Sequence, residues 1–204
     1  TPLGELLAAA GDADKDEDEP VIQLFRPITN KEVGRLHGHT GTAVNDLSFA
    51  ADGKRVASAG NDGTVRVWDV GALQERAVFR PEREPRATHD AATRMVRAVS
   101  FAPDGLSVVS GGEDGAVRLW NFAGQKEEFT ELDARAPLGA AVLSADGTAL
   151  AVAERVSRQI KVWALGDPAA DIDAKPKRVL RGLESPPLAL SINRDGSVIA
   201  AATA

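Results

Sequence analysis

GHTGTAVNDLSFAADGKRVASAGNDGTVRVWD, residues 38–69, holds three short apolar runs separated by two tight-turn signatures. Residues 44–49 lead into Asp52-Gly53 and residues 55–59 lead out of it, and Asn61-Asp62-Gly63 then precedes the alternating Thr64-Val-Arg-Val-Trp68. An Asp-Gly step between two apolar runs is a hairpin signal, because glycine takes the positive φ of a tight turn without a Cβ clash. The period of two in the last run sets Arg66 on the face opposite its neighbours, which is the habit of a strand.

The same arrangement recurs along the chain. Asp52-Gly53, Asp104-Gly105, Asp146-Gly147 and Asp195-Gly196 are spaced 52, 42 and 49 residues apart. Residues 96–101, 138–143 and 187–192 lead into the later turns, and 106–111, 149–153 and 197–201 lead out. Third strands follow in Ala116-Val-Arg-Leu-Trp120 and Gln159-Ile-Lys-Val-Trp163, with an earlier one in Val21-Ile-Gln-Leu-Phe25. Outer strands are expected at 33–36, 76–79, 128–132 and 178–181, and residues 6–11 resemble a second strand. A repeat of this length, with one large aromatic anchor per unit at 25, 68, 120 and 163, points to one four-stranded blade per repeat of a β-propeller.

Gly38-His39, Asp52-Gly53, Ser58, Asp62 and Trp68-Asp69 resemble the WD-repeat family. Ser58 precedes Asp62 by four residues and Asp62 precedes Trp68 by six, and Ser110, Asp114 and Trp120 reproduce both intervals. In that family a Trp, a Ser or Thr, an Asp and a His form a hydrogen-bonded tetrad within a blade. The resemblance implies one tetrad of His39, Ser58, Asp62 and Trp68 and a second of His89, Ser110, Asp114 and Trp120. His89 lacks the preceding glycine and lies two residues further from its strand than His39 does. Counted back from Trp163, Ala153 and Ser157 stand at the serine and aspartate positions, and Lys15 and Glu19 hold those of the first repeat. These two blades are therefore expected to rest on packing alone.

The fold expected is all-β, a propeller of four-stranded antiparallel WD-repeat blades in about four repeat phases. Residues 1–204 form a single propeller region, with phases at 1–32 (partial), 33–74, 75–126, 127–177 and 178–204 (partial). Three blades are complete, the first lacks its innermost strand and the last its outer two, so the stretch is expected to be part of a seven- or eight-bladed ring. A closed four-bladed ring would carry a redundant second strand.

Composition narrows the function. The 204 residues are 43% hydrophobic and 26% charged, as in a soluble globular chain with one core. A formal charge of −6 gives no basic surface for nucleic acid. No apolar run approaches the ~18–20 residues that cross a bilayer, so no membrane association is expected, and a cytoplasmic chain is favoured over a periplasmic one. Cysteine is absent, which removes disulfides and thiolate metal sites. Asp12, Asp14 and Asp16 alternate as in a calcium loop, but Glu17 and Gln23 replace its turn glycine and closing glutamate, so a solvated acidic loop is the better reading. High alanine, arginine and aspartate usage gives the composition a bacterial cast.

The resemblance implies a protein–protein interaction platform, a scaffold or adaptor without enzymatic activity or cofactor. Family partners often meet the top face, at residues flanking the central apolar position of the innermost strand and at the residue before the tetrad aspartate. Those positions are Ala43, Asn45 and Asn61, then Met95, Arg97 and Glu113, then Pro137 and Gly139, and Pro186 and Leu188. Asn45, Asn61, Met95, Arg97, Glu113 and Leu188 are the candidate partner-binding residues. Residues 75–97 lengthen one repeat and carry six arginines suited to acidic partners, with Glu75, Glu82, Glu84 and Asp90 interspersed to pair with them. Open blade edges also allow self-association. The alternatives are a sensor or regulatory propeller domain of a larger multidomain protein, and a propeller hydrolase or oxidoreductase. A Ser-His-Asp triad uses the tetrad's residue types, but these recur at blade period beside tryptophan instead of converging once.

Asp114→Ala is expected to lower stability by about 1–3 kcal/mol, because it orphans buried donors. Thermal unfolding checks this, and a midpoint equal to the parent's would refute the tetrad assignment.

Overall fold

Asp52, Asp104, Asp146 and Asp195 build one turn four times in the computed structural model, which describes residues 4–11, 19–80, 94–121, 128–133, 136–165 and 175–203, the backbone alone at 128–133. Each Oδ1 accepts the backbone N–H two residues on, from Lys54, Leu106, Thr148 and Ser197, at 2.9, 2.7, 2.9 and 3.1 Å. The glycines that follow the aspartates take φ of 64–75°, and their N–H groups return to Ala50, Ala102, Ser144 and Asn193 at 2.9–3.1 Å. Asn193 Oδ1 also takes the Val198 N–H at 2.8 Å, so the last strand starts at Ile199 and not at Ser197.

The strands are antiparallel and consecutive. A three-stranded sheet holds β1 (Leu7–Ala9), β2 (Ile22–Arg26) and β3 (Lys31–Leu36). Three four-stranded sheets follow. The first is β4 (Val44–Phe49), β5 (Arg55–Gly60), β6 (Val65–Asp69) and β7 (Gln74–Phe79). The next is β8 (Val96–Phe101), β9 (Ser107–Gly112), β10 (Ala116–Asn121) and β11 (Glu128–Asp133). The third is β12 (Leu138–Leu143), β13 (Ala149–Glu154), β14 (Gln159–Ala164) and β15 (Arg178–Leu180), and a β16 (Pro187–Ile192)–β17 (Ile199–Thr203) hairpin ends the series. This is the blade architecture of a β-propeller. Sheets and sequence phases are offset by one strand: β3 opens phase 33–74 but pairs with β2, so each repeat completes the sheet before it.

Consecutive sheets bury their faces on one another. β9 and β13 are buried along their whole length, as strands covered on both sides must be. Each tryptophan packs on the preceding sheet: Trp68 against Ile22, Leu24 and Leu36, Trp120 against Val65, Val67 and Phe79, and Trp163 against Val109 and Val117. Trp120 stacks on Phe79 with ring centroids 5.3 Å apart.

The innermost strands β4, β8, β12 and β16 lie side by side without pairing as a ladder. Side chains meet some of their backbone groups instead. Val99 N–H donates to Asp46 Oδ2 at 2.9 Å, Phe101 N–H to Ser48 Oγ at 3.0 Å, and Asn45 Nδ2 donates to the Val96 carbonyl at 2.7 Å. Among the described residues no helix is long and apolar enough to cross a membrane.

Candidate functional site

All four inner strands carry a β-bulge at the same place. The register steps from Val44 to Asp46, Val96 to Ala98, Leu138 to Ala140 and Pro187 to Ala189, which leaves Asn45, Arg97, Gly139 and Leu188 each unpaired in the ladder. A bulge bends the strand and re-aims the extra residue's side chain. Three of the candidate partner-binding residues, Asn45, Arg97 and Leu188, are thus bulge residues.

A second recurring bond sets the loops beside them. Asn61 N–H meets the Ala43 carbonyl at 2.9 Å, Glu113 N–H meets Met95 at 3.0 Å, and Arg155 N–H meets Pro137 at 2.9 Å. Arg155 therefore stands where Asn61 and Glu113 stand, although the spacing from Trp163 points elsewhere. The side chains at this end form one polar chain over three sheets. Asn61 Nδ2 donates to Thr42 Oγ1 at 2.8 Å, Asn45 Nδ2 to Asn61 Oδ1 at 2.8 Å, and Arg97 Nη1 to Asn45 Oδ1 at 3.3 Å. Glu113 Oε1 accepts from Arg97 Nε at 2.9 Å and Arg155 Nη1 at 2.6 Å. The inner strands flank a half-open cavity of about 630 Å³, lined by Asn45, Arg97, Arg155, Leu188 and Asp46. Burial pushes the Asp46 carboxyl up to about 6, against the N–H groups of Val99 and Leu47 that lower it.

Deeper in the second sheet, Trp68 Nε1 donates to Ser58 Oγ at 2.8 Å, Ser58 Oγ lies 2.7 Å from His39 Nε2, and His39 Nδ1 lies 3.0 Å from Asp62 Oδ2. An ionised Asp62 only accepts, so His39 Nδ1 donates to it. Burial alone would raise the Asp62 carboxyl, but hydrogen bonds from His39 and Thr64 outweigh it and hold the group well below the usual carboxylate range. Gly60 makes room for the set, since a Cβ there would stand 2.5 Å from His39 Nδ1 and 2.8 Å from Asp62 Oδ1. The Ser58–His39–Asp62 connectivity is that of a catalytic triad, yet Ser58 and His39 are 0% and 1% exposed and the Trp68 N–H occupies the serine oxygen. A substrate has no approach to that hydroxyl.

In the third sheet Trp120 Nε1 donates to Ser110 Oγ at 2.8 Å, and Asp114 accepts from Arg118 Nη1 at 2.6 Å and from Ala116 N–H at 3.1 Å. His89 lies outside the described residues. The strand reading set Arg66 and Arg118 merely opposite their neighbours; both are buried, Arg66 against Glu75 and Asp62 and Arg118 against Asp114.

The fourth sheet corrects two expectations. The β13–β14 turn is one residue longer than its counterparts, so counting back from Trp163 slips the register by one. Val152, not Ala153, pairs with Lys161 as Ser58 pairs with Arg66 and Ser110 with Arg118. Nor does this blade rest on packing alone. Glu154 sits opposite Leu138, as Gly60 sits opposite Val44, and its buried carboxylate pairs with Lys161 and accepts from Ser157 Oγ. A glutamate at the glycine position thus supplies a buried carboxylate, as Asp62 does in the second sheet. Trp163 Nε1 has no acceptor among the described residues.

The family model described as "WD domain, G-beta repeat" matches residues 30–69 and 83–121. The chain is 34% identical over 120 residues to "WD repeat, SAM and U-box domain-containing protein 1" of Danio rerio, covering 58% of this chain and 22% of that protein. It is 31% identical over 94 residues to "Anaphase-promoting complex subunit cdc20" of Dictyostelium discoideum, covering 46% and 18%. It is 24% identical over 163 residues to "Target of rapamycin complex subunit wat1" of Schizosaccharomyces pombe, covering 80% and 47%. The chain spans about a fifth of the first two relatives' length. All three are eukaryotic and give a bacterial origin no support.

Two outcomes are expected. Val152→Ser should move the Trp163 indole N–H resonance downfield by giving it an acceptor, and Ala153→Ser should leave it in place; the reverse would restore the interval-based assignment. For Asp46, a folded pKa above the unfolded value of about 3.9 means that the native state holds the proton longer, so stability falls as pH rises from about 4 to about 6. Unfolding free energies from denaturant titrations over that range should drop in the parent relative to Asp46→Asn, by up to about 3 kcal/mol, and parallel profiles would show that Asp46 does not titrate there.

Proposed function

The chain belongs to the WD-repeat family, and on that premise we propose that it is a non-catalytic protein-interaction platform whose partners meet the bulged end of the inner strands. The bulges carry this reading. They put Asn45, Arg97 and Leu188 outside the ladder on rigid strands, next to Asn61, Met95 and Glu113, where side chains vary without disturbing the sheets. Two relatives are by name subunits of complexes, which supports protein partners. We read His39, Ser58, Asp62 and Trp68, and likewise Ser110, Asp114 and Trp120 with His89, as structural sets that position this surface. Self-association through the outer edge of β17, which has no partner strand among the described residues, is part of the same proposal.

A second reading, a propeller domain within a larger multidomain protein, is favoured by one relative, named for its SAM and U-box domains, of which the chain covers 22%. The two readings are compatible, since such a domain also presents this surface.

A photo-crosslinking amino acid placed at Asn61, Leu188 or Ile28 tests the platform, because Ile28 is 93% exposed on the distant β2–β3 turn. Discrete protein adducts in cell extract are expected at 61 and 188 and not at 28, and light scattering of the same samples reads self-association. Identical adducts at all three positions, or none at 61 and 188, would sink the assignment.

A further inference from the structure

Among the described residues, two arginines converge on one carboxylate at the bulged end. Glu113 Oε1 alone receives Arg97 Nε at 2.9 Å and Arg155 Nη1 at 2.6 Å, so two guanidinium groups share one carboxylate. The outer edge of Arg97 is weakly served: Nη1 meets the Asn45 amide oxygen at 3.3 Å, and Nη2 meets the Met95 thioether at 3.3 Å. Neither contact matches a carboxylate, which takes a guanidinium fork in two parallel charge-assisted bonds. The two arginine side chains are 30% and 43% exposed and Glu113 is 18% exposed, so the cations stand further out than the acid between them.

Gly139 lets Arg155 reach this place. A Cβ at 139 would stand 2.5 Å from the Pro187 carbonyl and 3.0 Å from Arg155 Cγ, so the glycine makes room for the next inner strand as well as for the arginine stem, which crosses the bulge of its own blade and extends to the acid of the preceding one. Asp46, which lines the same cavity, directs its two oxygens to the N–H groups of Leu47 and Val99, each at 2.9 Å, and pairs with neither arginine. Leu188, 55% exposed, adds an apolar wall to the cavity.

We propose that Arg97 and Arg155 form a carboxylate clamp for an acidic peptide, with Glu113 holding both guanidinium groups in position and Leu188 receiving an apolar residue beside the acid. This names the partner class of the platform and rests on that reading. Recognition comes from the paired forks, since a single exposed ion pair is worth little in water.

A displayed library of random twelve-residue peptides, panned against the full chain, supplies the probe. The strongest binder is then measured by fluorescence anisotropy beside its counterpart with Glu or Asp replaced by Gln or Asn. Enrichment of acidic residues next to an apolar one is expected, with affinity falling roughly tenfold or more for the neutral peptide and for Arg155→Gln, and weakening as salt rises. Arg97→Gln should act in the same direction, and thermal unfolding of each variant separates lost binding from lost folding; Arg155, the more exposed of the two, carries the test if Arg97→Gln unfolds. Peptides that bind without acidic residues, lose affinity with Leu188→Asp and ignore Arg155→Gln would overturn the clamp and leave the platform standing. A library that enriches nothing, or only peptides indifferent to substitutions at 61, 97, 155 and 188, would overturn both.

Discussion

Each inner sheet is apolar on both faces, and this constraint governs the rest of the molecule. Val108 and Val109 are adjacent, point to opposite faces of β9, and are 0% and 1% exposed; Val56 with Ala57, and Leu150 with Ala151, repeat the situation. At roughly 25 cal/mol per Å² of apolar surface, leaving either face in water removes more stability than the hairpins' own hydrogen bonds return. A sheet of this kind persists only between two others, and the tryptophans on the third strands fill each junction. Their indole N–H groups enter the interior with them. In the second sheet Ser58, His39 and Asp62 relay that polarity toward Thr64 and the turn, so the tetrad follows from choosing tryptophan as the filler.

The same constraint shapes the surface. Inner strands that stack side by side leave backbone groups without a ladder partner, and such groups are costly when buried. Asp46 and Ser48 accept N–H groups from the next blade, which fixes the spacing of β4 and β8. At the bulges, one residue per strand is released from pairing altogether. Asn, Arg, Gly and Leu occupy that position at 45, 97, 139 and 188, while Asn, Glu and Arg occupy the loop position at 61, 113 and 155. One backbone geometry therefore presents unlike chemistry in each blade.

The inner strands at 44–49, 96–101, 138–143 and 187–192 were legible residue for residue, because Asp-Gly turns bracket them and the turn chemistry is local. Asn45, Arg97 and Leu188 were legible as positions. Their bulges were not, since a period-two pattern has no term for an unpaired residue. Arg155 escaped for a related reason: one extra residue in the β13–β14 turn displaces every interval counted from Trp163, and only the pairing of Val152 with Lys161 shows where the slip occurs. Glu154 was hidden by the same slip. The burial of Arg66 and Arg118 was obscured by alternation, which separates two faces of a strand but does not say that both are covered.

Glu154 shows how far the polar sets differ between blades. In the fourth sheet histidine and tetrad aspartate are replaced by a glutamate, a lysine and a serine, yet the sheet keeps its four strands and its place in the stack. A catalytic group does not tolerate such exchange, because its reacting atoms must occupy fixed places. A structural set needs only that buried donors and acceptors be matched, and Trp163, with no acceptor among the described residues, shows that even this is met incompletely there. The clustered Ser, His and Asp of the second sheet are buried and bonded to one another and to Trp68, whereas the bulge and loop positions at 45, 97, 155 and 188 line the space between the inner strands.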